Sequence, residues 1–161
     1  MRRPIACAGP LMTVVYAVCA NGASPGWDFY NCELDDTEKA KMNTLFHYMG
    51  EQGRISNRER FKRIEDTDLF EFKSFQVRMP CYFQPDRTLV ITHGFRKKGD
   101  RIPPSEIARA KRIRKEDSVH FTDLRVRNKW RNRRTTSRIS FPTRGVGGFM
   151  SVKRSRLRLR S

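Results

Sequence analysis

Four side chains near the middle of the chain could act together on a phosphate group. Arg78, Lys97 and Lys98 are cations, and His93 carries a ring that titrates near neutral pH. Cations stabilise negative charge that develops on a phosphate, and a histidine can transfer a proton. Two alternatives stay open: His93 could be a structural histidine with a satisfied ring, and Lys97-Lys98 beside Gly99 could form a solvated turn.

Three predicted strands in a meander position these side chains. Apolar residues alternate with other types over 77–83, which is the period of a half-buried strand. Strands near 69–75 and 88–95 flank it, and the latter is apolar enough to be covered on both faces. Pro80 interrupts the middle strand of the three, and proline within a strand fits only an edge strand or a β-bulge.

A basic helix is predicted over 104–116, after the last strand and a basic loop. Proline at 103 and 104 suits the first turn of a helix, and Glu106 lies near its positive end. Arg78 lies in mid-strand, and the antiparallel strand beside it ends at His93, so the loop after His93 lies close to Arg78. The sequence therefore predicts a cluster of cations at a strand end, backed by a cationic helix.

The first part of the chain predicts a strand at 13–19 and helices near 37–50 and 55–64. The apolar residues of the first helix fall at i, i+3, i+4 and i+7 and form one stripe: Met42, Leu45, Phe46 and Met49. The second helix is more polar, with Phe61 among its apolar anchors. The helices are expected to pack on one sheet face through Leu45, Phe46, Met49 and Phe61. This pattern predicts an α+β fold.

The charge of the chain is large and unevenly placed. The 161 residues carry a net charge of +17, and residues 118–161 hold 13 Lys and Arg against one acid. The prediction is one domain at 12–117 and a basic, disordered tail at 118–161. Residues 1–11 are predicted as an N-terminal extension, with Met12 a possible true start. The tail could be an RNA-binding arm or a non-native extension.

The cysteines and histidines give no sign of a metal site. Four cysteines are present, none in a CxxC pair and none with a histidine at ligand spacing. The prediction is no metal, no cofactor and no disulfide framework, in a cytoplasmic protein. An apolar run near the N-terminus faintly resembles a signal peptide, but Gly9-Pro10 breaks it. No apolar span approaches transmembrane length.

Four segments in a fixed order carry a family resemblance. They are Leu69-Phe70-Glu71-Phe72-Lys73, Val77-Arg78-x-x-x-Tyr82-Phe83, Ile91-Thr92-His93-Gly94-Phe95-Arg96-Lys97-Lys98 and Pro103-x-x-Glu106-Ile107-x-Arg109-Ala110. In this order they resemble the HigB-like, phage-derived branch of the RelE/ParE toxin superfamily, over residues 13–117. Lys73 stands where that branch usually has arginine, and the basic tail has no counterpart in its pattern.

The resemblance implies a small RelE-like domain that acts as the toxin of a type II toxin–antitoxin pair. Such toxins cleave messenger RNA without a metal ion, usually on the ribosome, and are neutralised by a cognate antitoxin protein. The catalytic residues implied are Arg78, His93, Lys97 and Lys98. Further RNA-binding candidates are Lys73, Tyr82, Arg96, Arg109 and Arg112, with Tyr82 able to stack on a base.

Two other functions remain open at this stage. A ParE-like toxin shares the fold but inhibits DNA gyrase, and it has no need of converging phosphate ligands such as Arg78 and Lys97-Lys98. A non-catalytic nucleic-acid-binding protein would bind mainly through the tail at 118–161, with affinity that falls steeply with salt. Without the family resemblance, the simplest interpretation of the arginines in the helix at 104–116 is a solvent-exposed face.

Overall fold

The computed structural model describes residues 2–99 and 101–135. Within these residues the chain forms seven strands and three α-helices, which confirms the predicted α+β class. The strands are β1 (Ile5–Ala8), β2 (Thr13–Tyr16), β3 (Phe61–Arg63), β4 (Phe70–Ser74), β5 (Val77–Gln84), β6 (Thr88–Ile91) and β7 (Phe95–Arg96). The helices are α1 (Pro25–Cys32), α2 (Asp36–Gln52) and α3 (Pro104–Thr135). None of these described helices has the length and apolar character of a membrane span.

The strands form one sheet in the order β1-β2-β6-β5-β4-β3, with β7 paired to β5 beyond the end of β6. Strands β4, β5 and β6 form the predicted antiparallel meander, and β2 pairs with β6 in parallel. Strand β6 is therefore central. Leu89, Val90 and Ile91 are fully buried, as their apolar run predicts for a strand covered on both faces.

Pro80 lies where the partner of β5 changes from β6 to β7. Its carbonyl accepts a hydrogen bond from the backbone N–H of Thr92 at 2.9 Å, just after β6 ends. Proline has no N–H to return that bond, so the ladder breaks here. The chain resumes pairing at β7, where Phe95 lies opposite Arg78. The break accommodates the proline and places the residues after His93 beside the start of β5.

The two faces of the sheet are covered by different helices. On one face, the predicted stripe of α2 is buried against the sheet: Met42, Leu45, Phe46 and Met49. The ring of Phe46 lies edge-on to that of Phe72, with centroids 5.1 Å apart. On the other face, Ala110 and Ile113 of α3 pack with Tyr82 and Val90. The meander is thus enclosed between α2 and the first half of α3.

The N-terminal residues belong to the sheet, although the predicted domain boundary lies at Met12. Strand β1 pairs antiparallel with β2. Arg3 donates from Nε to Oδ1 of Asp117 on α3 at 3.0 Å. Asp117 is fully buried and also accepts bonds from the Val18 N–H at 2.9 Å and the Tyr82 hydroxyl at 2.7 Å. One carboxylate therefore joins the N-terminal arm, the segment after β2, and β5 to α3.

The predicted helix at 55–64 is wrong. Residues 54–60 form an irregular connection, and Phe61–Arg63 form β3 at the edge of the sheet. Phe61 pairs with Phe72 of β4, so strand pairing places its ring in the core, and not the apolar stripe of a helix. Helix α1 is not among the predicted elements. Its first residues are Pro25 and Gly26, which predict a turn when read without their surroundings.

Three predicted boundaries also change. The strand predicted at 13–19 ends at Tyr16, and the strand predicted at 88–95 divides into β6 and β7. Helix α3 begins where predicted but continues to Thr135, so residues 118–135 of the expected disordered tail are helical. The remaining part of that tail, 136–161, lies outside the described residues.

Candidate active site

Strands β3, β4 and β5 place charged side chains on the sheet face that α3 covers. Because Phe72 packs under α2, its neighbours Glu71 and Lys73 project from the opposite face of β4. Lys62 of β3 lies directly across from Glu71, and Arg78 of β5 lies directly across from Lys73. Four charged residues therefore occupy adjacent positions on three neighbouring strands.

Lys97 follows β7 and joins this group. Its backbone N–H donates to the carbonyl of Gln76 at 2.8 Å, which holds it beside the β4–β5 turn. A cleft of about 520 Å³ opens between the group and the start of α3. Its lining includes Lys62, Glu71, Lys73, Lys97, Arg101 and Ile107. We call the lining residues Lys62, Glu71, Lys73 and Lys97, together with Arg78 beside Glu71, the cationic cleft.

Glu71 is a buried carboxylate surrounded by cations. Its side chain is 1% exposed, with Oε2 3.8 Å from Nε of Arg78 and Oε1 4.0 Å from Nζ of Lys62. Burial raises the pKa of Glu71, while the charges of Arg78, Lys62, Lys73 and Lys97 act to lower it. Within the described part of the chain, neither Oε2 of Glu71 nor Nε of Arg78 has a hydrogen-bond partner. The two atoms instead face each other as an ion pair, at a distance longer than a hydrogen bond.

The guanidinium of Arg78 is held in place by backbone carbonyls. Its Nη1 donates to the carbonyl of Phe75 at 2.5 Å and to that of Val77 at 2.9 Å. Phe75 has a positive φ of 50°, an unusual value for a large side chain, at the β4–β5 turn. Arg78 therefore supports the turn with one nitrogen while its Nε points towards Glu71.

Lys73 is fixed at the rim of the cleft. Its Nζ lies 3.6 Å from Oε2 of Glu59 and 3.4 Å from the carbonyl of Arg58, and its side chain is largely buried. Glu59 itself is highly exposed, so this ion pair is open to water and weak. A phosphate could compete with Glu59 for the ammonium group. The geometry thus presents preorganised cations around one carboxylate, a combination suited to proton transfer at a phosphodiester.

A family comparison covers the whole of this region. Residues 32–115, about half of the chain, match the family described as phage derived protein Gp49-like (DUF891). The chain belongs to the Gp49-like family. This is a RelE/HigB-type toxin family, which confirms the predicted superfamily, while the HigB-like branch stays a prediction. A search of the curated proteins finds no match to this chain.

The Gp49-like segment contains every residue of the cationic cleft, and it also contains the predicted proton-transfer residue, His93. The ring of His93 is fully buried. Its Nε2 lies 2.9 Å from Oε2 of Glu106 and its Nδ1 lies 3.0 Å from the Thr92 hydroxyl. Burial lowers its pKa to about 4, and Arg109 acts in the same direction. This placement favours the structural alternative for His93.

The predicted lysine pair of the Gp49-like segment is divided by the structure. Lys97 lines the cationic cleft, whereas Lys98 is exposed and is not among the residues that line it. The charges of Lys73, Arg78 and Lys97 all act on Glu71, so these three side chains surround one carboxylate. Glu71 and Lys62 have no assigned role in the sequence prediction. The signal that could have identified Glu71 is its position two residues before Lys73, on the same face of a strand.

The other predicted RNA-binding residues lie away from the cleft. Tyr82 is 2% exposed and its hydroxyl donates a hydrogen bond to Asp117. Its ring therefore has no free face on which a base could stack. Arg96 binds both carboxylate oxygens of Glu38, on the α2 side of the sheet. Arg109 and Arg112 line a shallow surface of α3 with Ser105 and Ala108, separate from the cationic cleft. The structure does not bring these four residues together.

The described residues contain no group of three or more His, Cys, Asp or Glu side chains that could hold a metal ion. All four cysteines are free, and Cys81 is fully buried in β5, where burial raises its pKa well above the ordinary value. Cys81 therefore packs as a small apolar residue.

Proposed function

We propose that this chain is the toxin of a type II toxin–antitoxin pair and that it cleaves messenger RNA at the cationic cleft. One observation carries the proposal: Glu71 is buried among Lys62, Lys73, Arg78 and Lys97 in a member of a RelE/HigB-type toxin family. The cleft offers several cations and one carboxylate, on three neighbouring strands and on Lys97 just after β7. Such an arrangement binds a phosphodiester and supplies a base beside it.

The proposed reaction is attack of a ribose 2′-oxygen on the adjacent phosphorus. Glu71 takes the 2′-hydroxyl proton, the bond from phosphorus to the 5′-oxygen breaks, and the Lys97 ammonium protonates that leaving oxygen. Arg78 and Lys73 stabilise the charge that develops on the phosphate oxygens. The products are a 2′,3′-cyclic phosphate and a 5′-hydroxyl. All groups in this scheme are side chains of the chain itself, and Glu71 takes the role that the sequence prediction gives to His93.

The ribosome and an antitoxin are the proposed partners. Single-stranded messenger RNA is exposed in the ribosome, and a toxin there would inhibit translation and growth. A cognate antitoxin is proposed to neutralise the chain by covering the cationic cleft, which requires a partner with acidic groups at that position. Electrostatic attraction of this kind makes association fast and sensitive to salt.

The test is inducible expression of the full chain in bacteria, with growth and messenger RNA integrity followed together. Expression should stop growth and shorten transcripts, and Glu71→Gln should remove both effects when it is compared with the wild-type chain at equal levels of folded protein. Lys115→Ala, an exposed cation on α3 outside the cleft, is the control and should remain toxic. Cleavage by the purified chain, with and without ribosomes, should persist in EDTA and leave cyclic-phosphate ends.

Two outcomes would reject the proposal. Growth arrest with intact transcripts and altered DNA supercoiling would indicate the gyrase-inhibiting function of a ParE-like toxin. RNA binding without cleavage, unaffected by Glu71→Gln, would indicate a non-catalytic nucleic-acid-binding protein.

A further inference from the structure

A second groove lies at the β3 edge of the sheet, with an aromatic floor. The rings of Phe61 and Phe70 stack with centroids 5.5 Å apart and an interplanar angle of 6°. Phe83 of β5 stands edge-on to Phe70, with centroids 5.0 Å apart. The three phenylalanines line a groove of about 630 Å³ below the connection from α2 to β3. Phe83 remains 40% exposed, so part of one aromatic ring is presented to solvent in the groove.

Cations surround this aromatic floor. Arg54, Arg58, Lys62 and Arg63 all contribute to the groove lining, against a single carboxylate, Glu65. Arg63 donates from Nε to the carbonyl of Thr67 at 2.6 Å and is thereby positioned. The guanidinium groups of Arg54 and Arg58 have no hydrogen bond or ion pair with any residue that the structure describes. Exposed, unpaired arginines beside an apolar floor suit an anionic ligand.

The groove continues into the cationic cleft. Lys62 and Glu65 line both, because β3 is the edge strand that separates them. A strand of RNA with a phosphate at Glu71 and Arg78 could therefore pass over Lys62 and enter the groove without leaving a positively charged surface. The aromatic rings lie on the α2 face of the sheet and the cleft on the α3 face, so the path runs around the β3 edge.

We propose that this groove is a nucleotide-binding subsite for single-stranded RNA, with a base against Phe83 and phosphates on Arg54 and Arg58. The identity of the ligand rests on the proposed function, while the site rests on its own geometry. Stacking on aromatic rings combined with cations along the backbone is how proteins bind single strands without reading sequence. The excess of unpaired cations favours RNA over an apolar peptide. The subsite supplies the base contact that the buried ring of Tyr82 cannot make.

The test is binding of a short 2′-O-methyl oligonucleotide that cannot be cleaved and that carries one 2-aminopurine. Stacking on Phe83 should quench the fluorescence of this base analogue. Phe83→Leu keeps the apolar cover but removes the ring, and should abolish the quenching and weaken binding about tenfold. Arg54→Ala combined with Arg58→Ala should also weaken binding, and should reduce the dependence of log affinity on log salt by about 0.7 for each cation.

Two further variants separate a binding role from a structural one. Phe83→Trp should restore the quenching that Phe83→Leu removes, whereas an effect on folding alone would not follow the aromatic ring. Lys115→Ala on the remote side of α3 should leave quenching and affinity unchanged. Equal affinity and quenching in the wild-type chain, Phe83→Leu and the double arginine variant would overturn the subsite, and an antitoxin peptide would become the better occupant.

The same variants distinguish failure of the subsite from failure of the proposed function. A dinucleotide reaches only the cationic cleft, so the groove variants should cleave it at the wild-type rate while they raise KM for longer RNA. Groove binding without any cleavage would retain the subsite and reject the nuclease. Cleavage with the same KM in all groove variants would retain the nuclease and reject the subsite.

Discussion

The imidazole of His93 lies 2.9 Å from the carboxylate of Glu106 and joins the end of β6 to the first turn of α3. The contact joins the histidine-glycine-phenylalanine segment to the proline-x-x-glutamate segment in the fold. The ring of His93 also stacks on Phe95 of β7, with centroids 5.8 Å apart. The pair therefore fixes the start of α3 against the sheet, and with it one wall of the cationic cleft, at Ile107.

The buried His93 ring predicts loss of stability in mild acid. Burial lowers its pKa from an ordinary 6.5 to about 4, so the folded chain resists a proton that the unfolded chain accepts. Between these values the unfolded state binds more protons at this site, so the His93 contribution to the free energy of unfolding should fall as pH falls, by about 1 kcal/mol per pH unit, and the raised pKa of Glu71 acts in the opposite direction. Urea denaturation at a series of pH values from 7 down to about 4 measures this slope.

A matched pair of histidine variants assigns that slope. His93→Gln removes the titrating group while keeping an amide that can bond to Glu106, so its stability should depend less on pH in this window. His47→Gln changes an exposed histidine of α2 and should keep the wild-type slope. An unchanged slope in His93→Gln would show that another group is responsible.

The long elements could be predicted from the sequence because local patterns determine them. Helix α2 has its apolar stripe, a capping box between Asp35 and Glu38, and Gly53 in a left-handed conformation at its end. Within the meander, the alternation of apolar residues over 77–83 predicts its middle strand, β5. Strands β1, β3 and β7 are two to four residues long and too short to show a period, so their pairing with other strands decides them.

The cationic cleft could be predicted only in part, for a related reason. Lys73, Arg78 and Lys97 are cations in or after recognisable strands. The role of Glu71 depends on its position across from Lys62, and that position follows from β3, which the sequence assigns to a helix. His93 illustrates the converse: a histidine at a strand end has the right chemistry for catalysis, but only the fold shows that its ring, unlike the buried Glu71 carboxylate, does not line the cleft.

Gly94 is expected to be required for packing of α1 on the sheet. A Cβ atom at this position would lie 2.0 Å from Cδ1 of Phe29, well inside van der Waals contact. Gly94→Ala should therefore lower the free energy of unfolding by about 1–3 kcal/mol. At Gly99 the same substitution meets no atom within 4 Å and should cost much less. Thermal denaturation compares the two variants, and recovery in Gly94→Ala with Phe29→Leu would confirm the clash as the cause.

Removal of the N-terminal arm is expected to destabilise the whole domain. Arg3 is the cation that pairs with the fully buried Asp117, and its side chain is 12% exposed. Arg3→Ala leaves that carboxylate without its counter-charge and should cost about 3 kcal/mol or more. Arg2→Ala changes an exposed neighbour and should cost little. A chain that begins at Met12 also loses β1, and it should be less stable than Arg3→Ala when both are unfolded in urea.

The two adjacent lysines after β7 should differ in their effect on RNA cleavage. Lys97 lines the cationic cleft and Lys98 does not, although the sequence prediction treats them alike. Lys97→Ala should lower kcat by about 10²–10³-fold, because it removes charge that acts in the transition state. Lys98→Ala should lower it only a few-fold through long-range attraction for RNA. Single-turnover cleavage of one RNA by both variants is the measurement, and equal losses would place the reacting phosphate outside the cleft.

Glu71 as the general base predicts a specific pH profile for cleavage. Burial raises the pKa of this carboxyl above its ordinary value of 4.5, so it should accept a proton, and activity should fall, in mild acid. Glu71→Gln cannot accept the 2′-hydroxyl proton and should lower kcat by about 10²–10⁴-fold, with no acid limb in the remaining activity. The pH dependence of single-turnover cleavage measures both effects.

Two neighbouring substitutions decide whether Glu71 acts as a base or only balances the surrounding cations. Glu59→Gln removes the exposed carboxylate that pairs with Lys73 and should keep the acid limb. Glu71→Asp keeps a carboxylate but withdraws it by one methylene, so it should lower kcat while the acid limb persists. A residue that merely balanced charge would act mainly on stability, so Glu71→Gln and Glu71→Asp would both keep kcat near the wild-type value in the folded protein. Cleavage by Glu71→Gln at the wild-type rate would therefore reject the base and leave the cations alone as the source of catalysis.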